Sequence, residues 1–189
     1  MVRPAVFLDR DGVINANLDR DGKPVAPTKF EEFRFLPGVE DAIRRLRAGG
    51  YLIIVCTNQP DVGTGRTPRS AVEAMHVAVR ARLEVDDIKV CFHTDAEGCA
   101  CRKPKPGMIV DAAREHGIAL EKSYMVGDRW RDVVAGHAAG CLTIFVESGY
   151  EQDGPNQPDY VVGSLSQAAD IILGRNFGRE APETLRSGG

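Results

Sequence analysis

Tyr51-Leu52-Ile53-Ile54-Val55-Cys56 is an unbroken apolar run, bounded by Gly49-Gly50 before it and Thr57-Asn58 after it. A strand with one wet face alternates apolar and polar residues. A run without alternation is the mark of a strand covered on both faces, which is the habit of parallel sheets. Ala5-Leu8, Ile88-Phe92, Tyr124-Val126, Leu142-Val146 and a short edge segment Tyr160-Val162 read as further strands. Helical spacing fills the intervals. Val39, Ile43 and Leu46 share one face before Gly49-Gly50, and Val72, Met75, Val79 and Leu83 follow a cap and start at Thr67-Pro68. Pro106 opens a helix ending near Gly117, Arg131–Ala139 is closed by Gly140, and a last helix covers Ser166 to Leu173. Repeated β-α units of this length predict an α/β fold, a Rossmann-like parallel sheet with helices on both faces.

The 189 residues fit a single domain over residues 1–174, with the polar, Gly-rich stretch 175–189 expected to be a loosely held tail. A hydrophobic content of 43% with 27% charged residues is that of a soluble globular chain. A formal charge of -3 gives no electrostatic case for nucleic acid or an anionic membrane. The longest apolar stretch is too short to span a bilayer, and no leader fits before Asp9, so a cytoplasmic monomer is expected. The five cysteines then read as thiols or metal ligands and not as disulfides.

The first strand ends in Asp9-Arg10-Asp11-Gly12. Carboxylates two apart point to the same side, so one can attack an electrophile while the other handles protons, although taken alone the pattern also fits a capped turn. Other strand ends add polar residues at the same edge: Thr57-Asn58-Gln59, then Arg102-Lys103, then Asp128-Arg129. In a parallel sheet these ends converge on one crevice. Carboxylates gathered there call for a divalent cation, and an oxygen-rich site that also holds phosphate suits Mg²⁺.

Cys91-Phe92-His93 and Cys99-Ala100-Cys101 form two ligand pairs eight residues apart. Three thiolates and one imidazole make a closed tetrahedral set, typical of structural Zn²⁺. Such a loop, directly before Arg102-Lys103, would pin the segment that presents Lys103. Cys56 and Cys141 lie in or beside apolar strands and read as inert core thiols. Val13 to Phe30 is polar, with a tight turn at Asp21-Gly22 between two short arms, and reads as a flap.

DRDGVIN, VCTNQ, CRKPKPGM and MVGDRWRD stand in order over residues 5 to about 149. In these motifs the chain resembles phosphatases of the haloacid dehalogenase superfamily. The resemblance implies that Asp9 is the nucleophile and forms an aspartyl-phosphate, and that Asp11 protonates the leaving oxygen and then activates water. It implies that Asp9, Asp128 and the backbone carbonyl of Asp11 bind Mg²⁺, and that Thr57 and Lys103 hold the phosphoryl group. Asp132, one turn beyond Asp128, is either a reach to a metal-bound water or a helix-surface carboxylate.

The zinc loop and the absence of room for a large cap make the chain similar to the small-cap heptose-bisphosphate and histidinol-phosphate phosphatases. The minimal cap is then the flap hairpin plus the zinc-binding loop. Asn58, Gln59, Arg102 and Arg129 are the expected substrate contacts, with the Arg66 region adding positive charge. Those cations favour a small bisphosphate over the amine of histidinol phosphate, which stays the alternative. A polynucleotide-end phosphatase and a non-catalytic zinc-stabilised module are further alternatives, disfavoured by the acidic balance and by the retained charge cluster.

Overall fold

The computed structural model describes residues 2–147, 149 and 157–174, and the expected tail 175–189 lies outside the described residues. The strands of the main sheet are β1 (Ala5–Leu8), β4 (Leu52–Asn58), β5 (Asp87–Cys91), β6 (Tyr124–Gly127), β7 (Leu142–Val146) and β8 (Tyr160–Val162). The hairpin strands are β2 (Leu18–Arg20) and β3 (Lys23–Val25). Helices are α1 (Val39–Ala48), α2 (Pro60–Gly63), α3 (Arg69–Arg82), α4 (Gly107–His116), α5 (Trp130–Ala139) and α6 (Leu165–Ile172). The six-stranded sheet runs β5-β4-β1-β6-β7-β8 with every pairing parallel. Strand order reverses beside β1, which is where open α/β sheets form their crevice.

Alternate residues of the central strands serve two cores. Val6, Leu8, Ile53 and Val55 pack under α1, α3 and α6 with Ile43, Leu46, Met75, Val79 and Leu165. Ala5, Phe7, Ile54 and Cys56 face Met108, Ile109 and Ala112 of α4 and Ala135 of α5. All four residues of β1 are fully buried. Each Leu, Ile or Phe so placed contributes about 1.5–3 kcal/mol relative to exposure, and this two-sided burial explains the unbroken apolar run.

Element boundaries differ from expectation where pairing decides them. β4 continues to Asn58, because Thr57 and Asn58 still pair with Val90 and Cys91 of β5. α3 starts at Arg69 after Pro68, with no side-chain cap from Thr67, and stops before Leu83. The four-residue α2 was not foreseen, being too short to show a period. The flap is a hairpin in which Asp21 and Gly22 both have positive φ, 55° and 74°, the backbone a two-residue turn of this hand requires.

Candidate active site

The carboxyl ends of β1, β4 and β6 open on a cleft of about 240 Å³, lined among others by Asp9, Asp11, Asn58, Lys103, Asp128 and Asp132. Lys103 enters from the loop after the cysteine cluster and is buried, at 2% exposure. Its ammonium donates to the Cys56 carbonyl at 2.7 Å and to Asp132 Oδ1 at 2.5 Å, and lies 3.0 Å from Asp9 Oδ1. Burial works against the charge on Lys103, but Asp132 and Asp9 outweigh it and hold the ammonium above its ordinary range. The loop itself is clamped by Asn58, whose amide donates to the Lys103 carbonyl at 3.0 Å and accepts the Lys103 N–H at 3.1 Å.

Asp9, Asp128 and Asp132 bring carboxylate oxygens within 4.8 Å of one another. Burial, and then Asp132, push Asp9 well above the usual carboxylate range. Burial and Asp132 push Asp128 up to about 7. Asp128 Oδ2 accepts from Asn17 Nδ2 at 2.9 Å, while its Oδ1 is buried with no hydrogen-bond partner. The backbone closes on this carboxylate at Gly12, where φ is 83° and an added Cβ would lie 2.0 Å from Asp128 Oδ2. A hard divalent cation fits this donor set: oxygen ligands, mutual repulsion to relieve, and a buried acceptor left unfilled.

Asp11 is held by a ring of donors. Arg10 reaches it through Nε at 3.2 Å and through Nη2 to both oxygens at 3.0 Å. Asn15 Nδ2 donates at 2.9 Å and Gln59 Nε2 at 2.7 Å. Gln59 also donates to Thr57 Oγ1 at 3.0 Å, leaving the Thr57 hydroxyl its own hydrogen to give. Gln59 and Thr57 are both buried.

The structure brings Asp9, Asp11, Thr57, Lys103 and Asp128 to one edge, and separates the other expected contacts into different tasks. The Asn58 amide bonds the Lys103 backbone while Asn58 still lines the cleft, and the Gln59 amide bonds Asp11 and Thr57. Arg129 donates to the Pro24 carbonyl of the flap at 3.0 Å and lies 3.5 Å from Asp128. Arg102 is paired with Asp95 of the cysteine loop at 2.7 Å, and Arg131 joins the same carboxylate at 3.0 Å. All three guanidiniums line the cleft. Arg66 bonds Thr64 and Asp61 beside α2 and is absent from that lining. Asp132 is no surface carboxylate: it is 1% exposed, holds Lys103 and accepts the Arg129 N–H. Two residues that the sequence does not mark as functional stand out here: Arg10 is fully buried, and His76 Nε2 lies 3.2 Å from its Nη1. The signal for His76 was its place between Met75 and Val79 on the buried stripe of α3.

Beside this edge Cys91, His93, Cys99 and Cys101 converge. Sulfur–sulfur separations are 3.3, 3.5 and 3.7 Å, and His93 Nδ1 lies 3.4 and 3.5 Å from two of the thiols. A zinc tetrahedron with Zn–S near ~2.3 Å has edges of about 3.8 Å, so the cluster has the size and donors for that ion. Cys56 and Cys141 are buried, and burial pushes both thiols up to about 12. A larger cavity of about 410 Å³ lies between Val13, Leu36 and Leu165 and shares Gly12 and Asn17 with the cleft, but lacks Lys103 and the aspartate cluster.

A HAD-hydrolase-like family model matches residues 100–168. The D-glycero-β-D-manno-heptose-1,7-bisphosphate 7-phosphatase of Pseudomonas putida is 40% identical over 149 residues, covering 76% of this chain and 82% of that one. The Pasteurella multocida protein of the same name is 33% identical over 187 residues, covering 92% and 98%. Among solved structures, the D,D-heptose 1,7-bisphosphate phosphatase of B. bronchiseptica, complexed with magnesium and phosphate, superposes with a TM-score of 0.77 at 32% identity. That match covers 92% of this chain and 99% of the other.

Proposed function

The chain belongs to the haloacid dehalogenase-like phosphatases, in the heptose-bisphosphate phosphatase family that it matches over most of its length, and from there we propose that it removes the 7-phosphate of D-glycero-D-manno-heptose 1,7-bisphosphate. The observation behind this reading is the convergence of Asp9, Asp11 and the buried Lys103 in a cleft that three arginines also line. One anionic group of a bisphosphate is taken by Lys103 and Thr57, and the second by Arg102, Arg129 or Arg131 through charge-assisted bonds. Histidinol phosphate would bring an ammonium to the same cations, and is the less suited substrate.

In the proposed mechanism a carboxylate oxygen of Asp9 forms a bond to phosphorus as the P–O bond to the sugar breaks. The proton held by Asp11 passes to the departing alkoxide oxygen. Water then attacks phosphorus, gives its proton to Asp11, and the Asp9 carboxylate is released with inorganic phosphate. An anionic nucleophile approaches a phosphate dianion only where the charge is compensated, and the Lys103 ammonium 3.0 Å from Asp9 does part of this. Asp132 holds that ammonium in place, and Gln59 and Asn15 hold Asp11. Asp9, Asp128 and the Asp11 carbonyl would hold Mg²⁺, which when bound supplies positive charge to the phosphate oxygens. Cys91, His93, Cys99 and Cys101 would hold a structural Zn²⁺ with no open position. In the same reading the enzyme is a cytoplasmic monomer acting on a soluble small phosphate ester, with no nucleic acid or membrane partner.

The test is a kcat/KM comparison across heptose 1,7-bisphosphate, fructose 1,6-bisphosphate, histidinol phosphate and a 3′-phosphorylated oligonucleotide, with Asp9→Asn as control. The heptose bisphosphate is expected to give the highest value, and Asp9→Asn no turnover of any substrate. A higher value for histidinol phosphate would transfer the assignment to the alternative, and turnover by Asp9→Asn would remove the aspartyl-phosphate route.

A further inference from the structure

Arg10 is the second residue beyond β1 and has the largest fully buried side chain in the described residues. Asp11, His76 and Phe33 meet its guanidinium. Nε and Nη2 go to Asp11, Nη1 lies 3.2 Å from His76 Nε2, and the Phe33 ring centroid is 5.8 Å from Cζ. A guanidinium carries donors only, so His76 Nε2 is the acceptor and the ring keeps its hydrogen on Nδ1. Burial, and after it the Arg10 charge, pushes His76 down to about 4, which leaves the ring neutral and its Nε2 lone pair available near neutral pH.

We propose that His76 is a positioning residue for the reaction: by accepting an Arg10 N–H it fixes the guanidinium that aims Asp11 at the leaving oxygen. The inference rests on the assignment of Asp11 as proton donor made above. Without an acceptor on α3, Nη1 of this fully buried side chain loses the partner it has here, and an unpaired buried donor is costly. The guanidinium then tilts toward another oxygen, and its fork shifts the Asp11 carboxylate with it. Asn15 and Gln59 still hold Asp11, so the displacement costs rate without abolishing it. A displacement of the proton donor matters most for an alkoxide, which needs the proton as the P–O bond breaks. It matters least for p-nitrophenolate, which leaves as a stable anion.

The experiment compares kcat/KM for the alkyl ester heptose 1,7-bisphosphate and for p-nitrophenyl phosphate, with Mg²⁺ present, in wild type, His76→Met, His76→Gln and Asp11→Asn. His76→Met is expected to lose about tenfold on the alkyl ester and under about twofold on the aryl ester. His76→Gln, which returns an acceptor oxygen, is expected to recover most of that loss. Equal losses on both esters, or none, would overturn the inference. So would Nε2-protonated His76 in ¹⁵N spectra of the wild-type protein, a readout independent of how the variants fold. If Asp11→Asn discriminates between the esters and His76→Met does not, only the role of His76 fails. If Asp11→Asn does not discriminate either, the assignment of Asp11 fails and the inference with it.

Discussion

A buried histidine beside a buried arginine makes stability depend on pH in a direction that can be worked out. In the unfolded chain His76 takes up its proton near 6.5, and in the folded protein only near 4, because burial and then Arg10 disfavour the charged ring while Asp11 favours it and Arg80 opposes it. Between those values the unfolded state binds more protons, so the contribution of neutral His76 is present above 6.5 and lost as pH falls toward 4. At about 1.4 kcal/mol per pKa unit, the interval from 6.5 to about 4 corresponds to about 3–4 kcal/mol. Urea denaturation over this pH range should show that loss in wild type and a shallower one in His76→Gln, while parallel pH profiles would refute it. At this scale Asp9, Asp11 and Asp128 were legible because side chains at strand ends point predictably. Arg10 was not, since nothing in Asp9-Arg10-Asp11 distinguishes a spacer from a guanidinium folded back beneath its neighbour.

At the scale of elements, the cysteine loop is the connection between β5 and Lys103. Asp95 in that loop receives both Arg102 and Arg131 of α5, and the Ala100 carbonyl accepts the Gly107 N–H at the start of α4. Protein purified without chelator should contain about one zinc per chain by elemental analysis. Cys101→Ser is expected to lower zinc content and melting temperature together and to raise KM for phosphate esters through the displaced Lys103. Unchanged stability and KM in a zinc-free variant would exclude a structural role. That Cys91, His93, Cys99 and Cys101 converge was legible from spacing alone, because Cys-x-His and Cys-x-Cys are local. That the same loop also ties two arginines to Asp95 was not, since Arg131 comes from an element 36 residues away.

The whole molecule assembles its charge where the sheet's strand ends meet. Asp9 arrives from the end of β1, Asp128 from the β6–α5 turn and Asp132 from the first turn of α5, and Lys103 alone among the described residues enters that cluster as a buried ammonium. Binding a divalent cation should therefore stabilise the fold. At ~100 times Kd the gain is about 2.7 kcal/mol, or roughly 5–10 °C for a chain of this size. Thermal unfolding with and without Mg²⁺ measures it. The shift should shrink below about pH 7 as Asp128 takes up a proton, and Asp128→Asn should lose it; a shift retained in that variant would place the cation elsewhere. The six parallel strands, both core faces and the hairpin turn were determined by the sequence itself, because burial period and turn chemistry are local properties that survive without the fold. Only the tertiary structure decided that Asn58 clamps the Lys103 backbone, that Gln59 serves Asp11, and that Asp132 is the counter-ion of Lys103. Those are pairings across 45, 48 and 29 residues, and which partner a polar side chain finds depends on how the chain returns to it, a geometry that one-dimensional spacing does not carry.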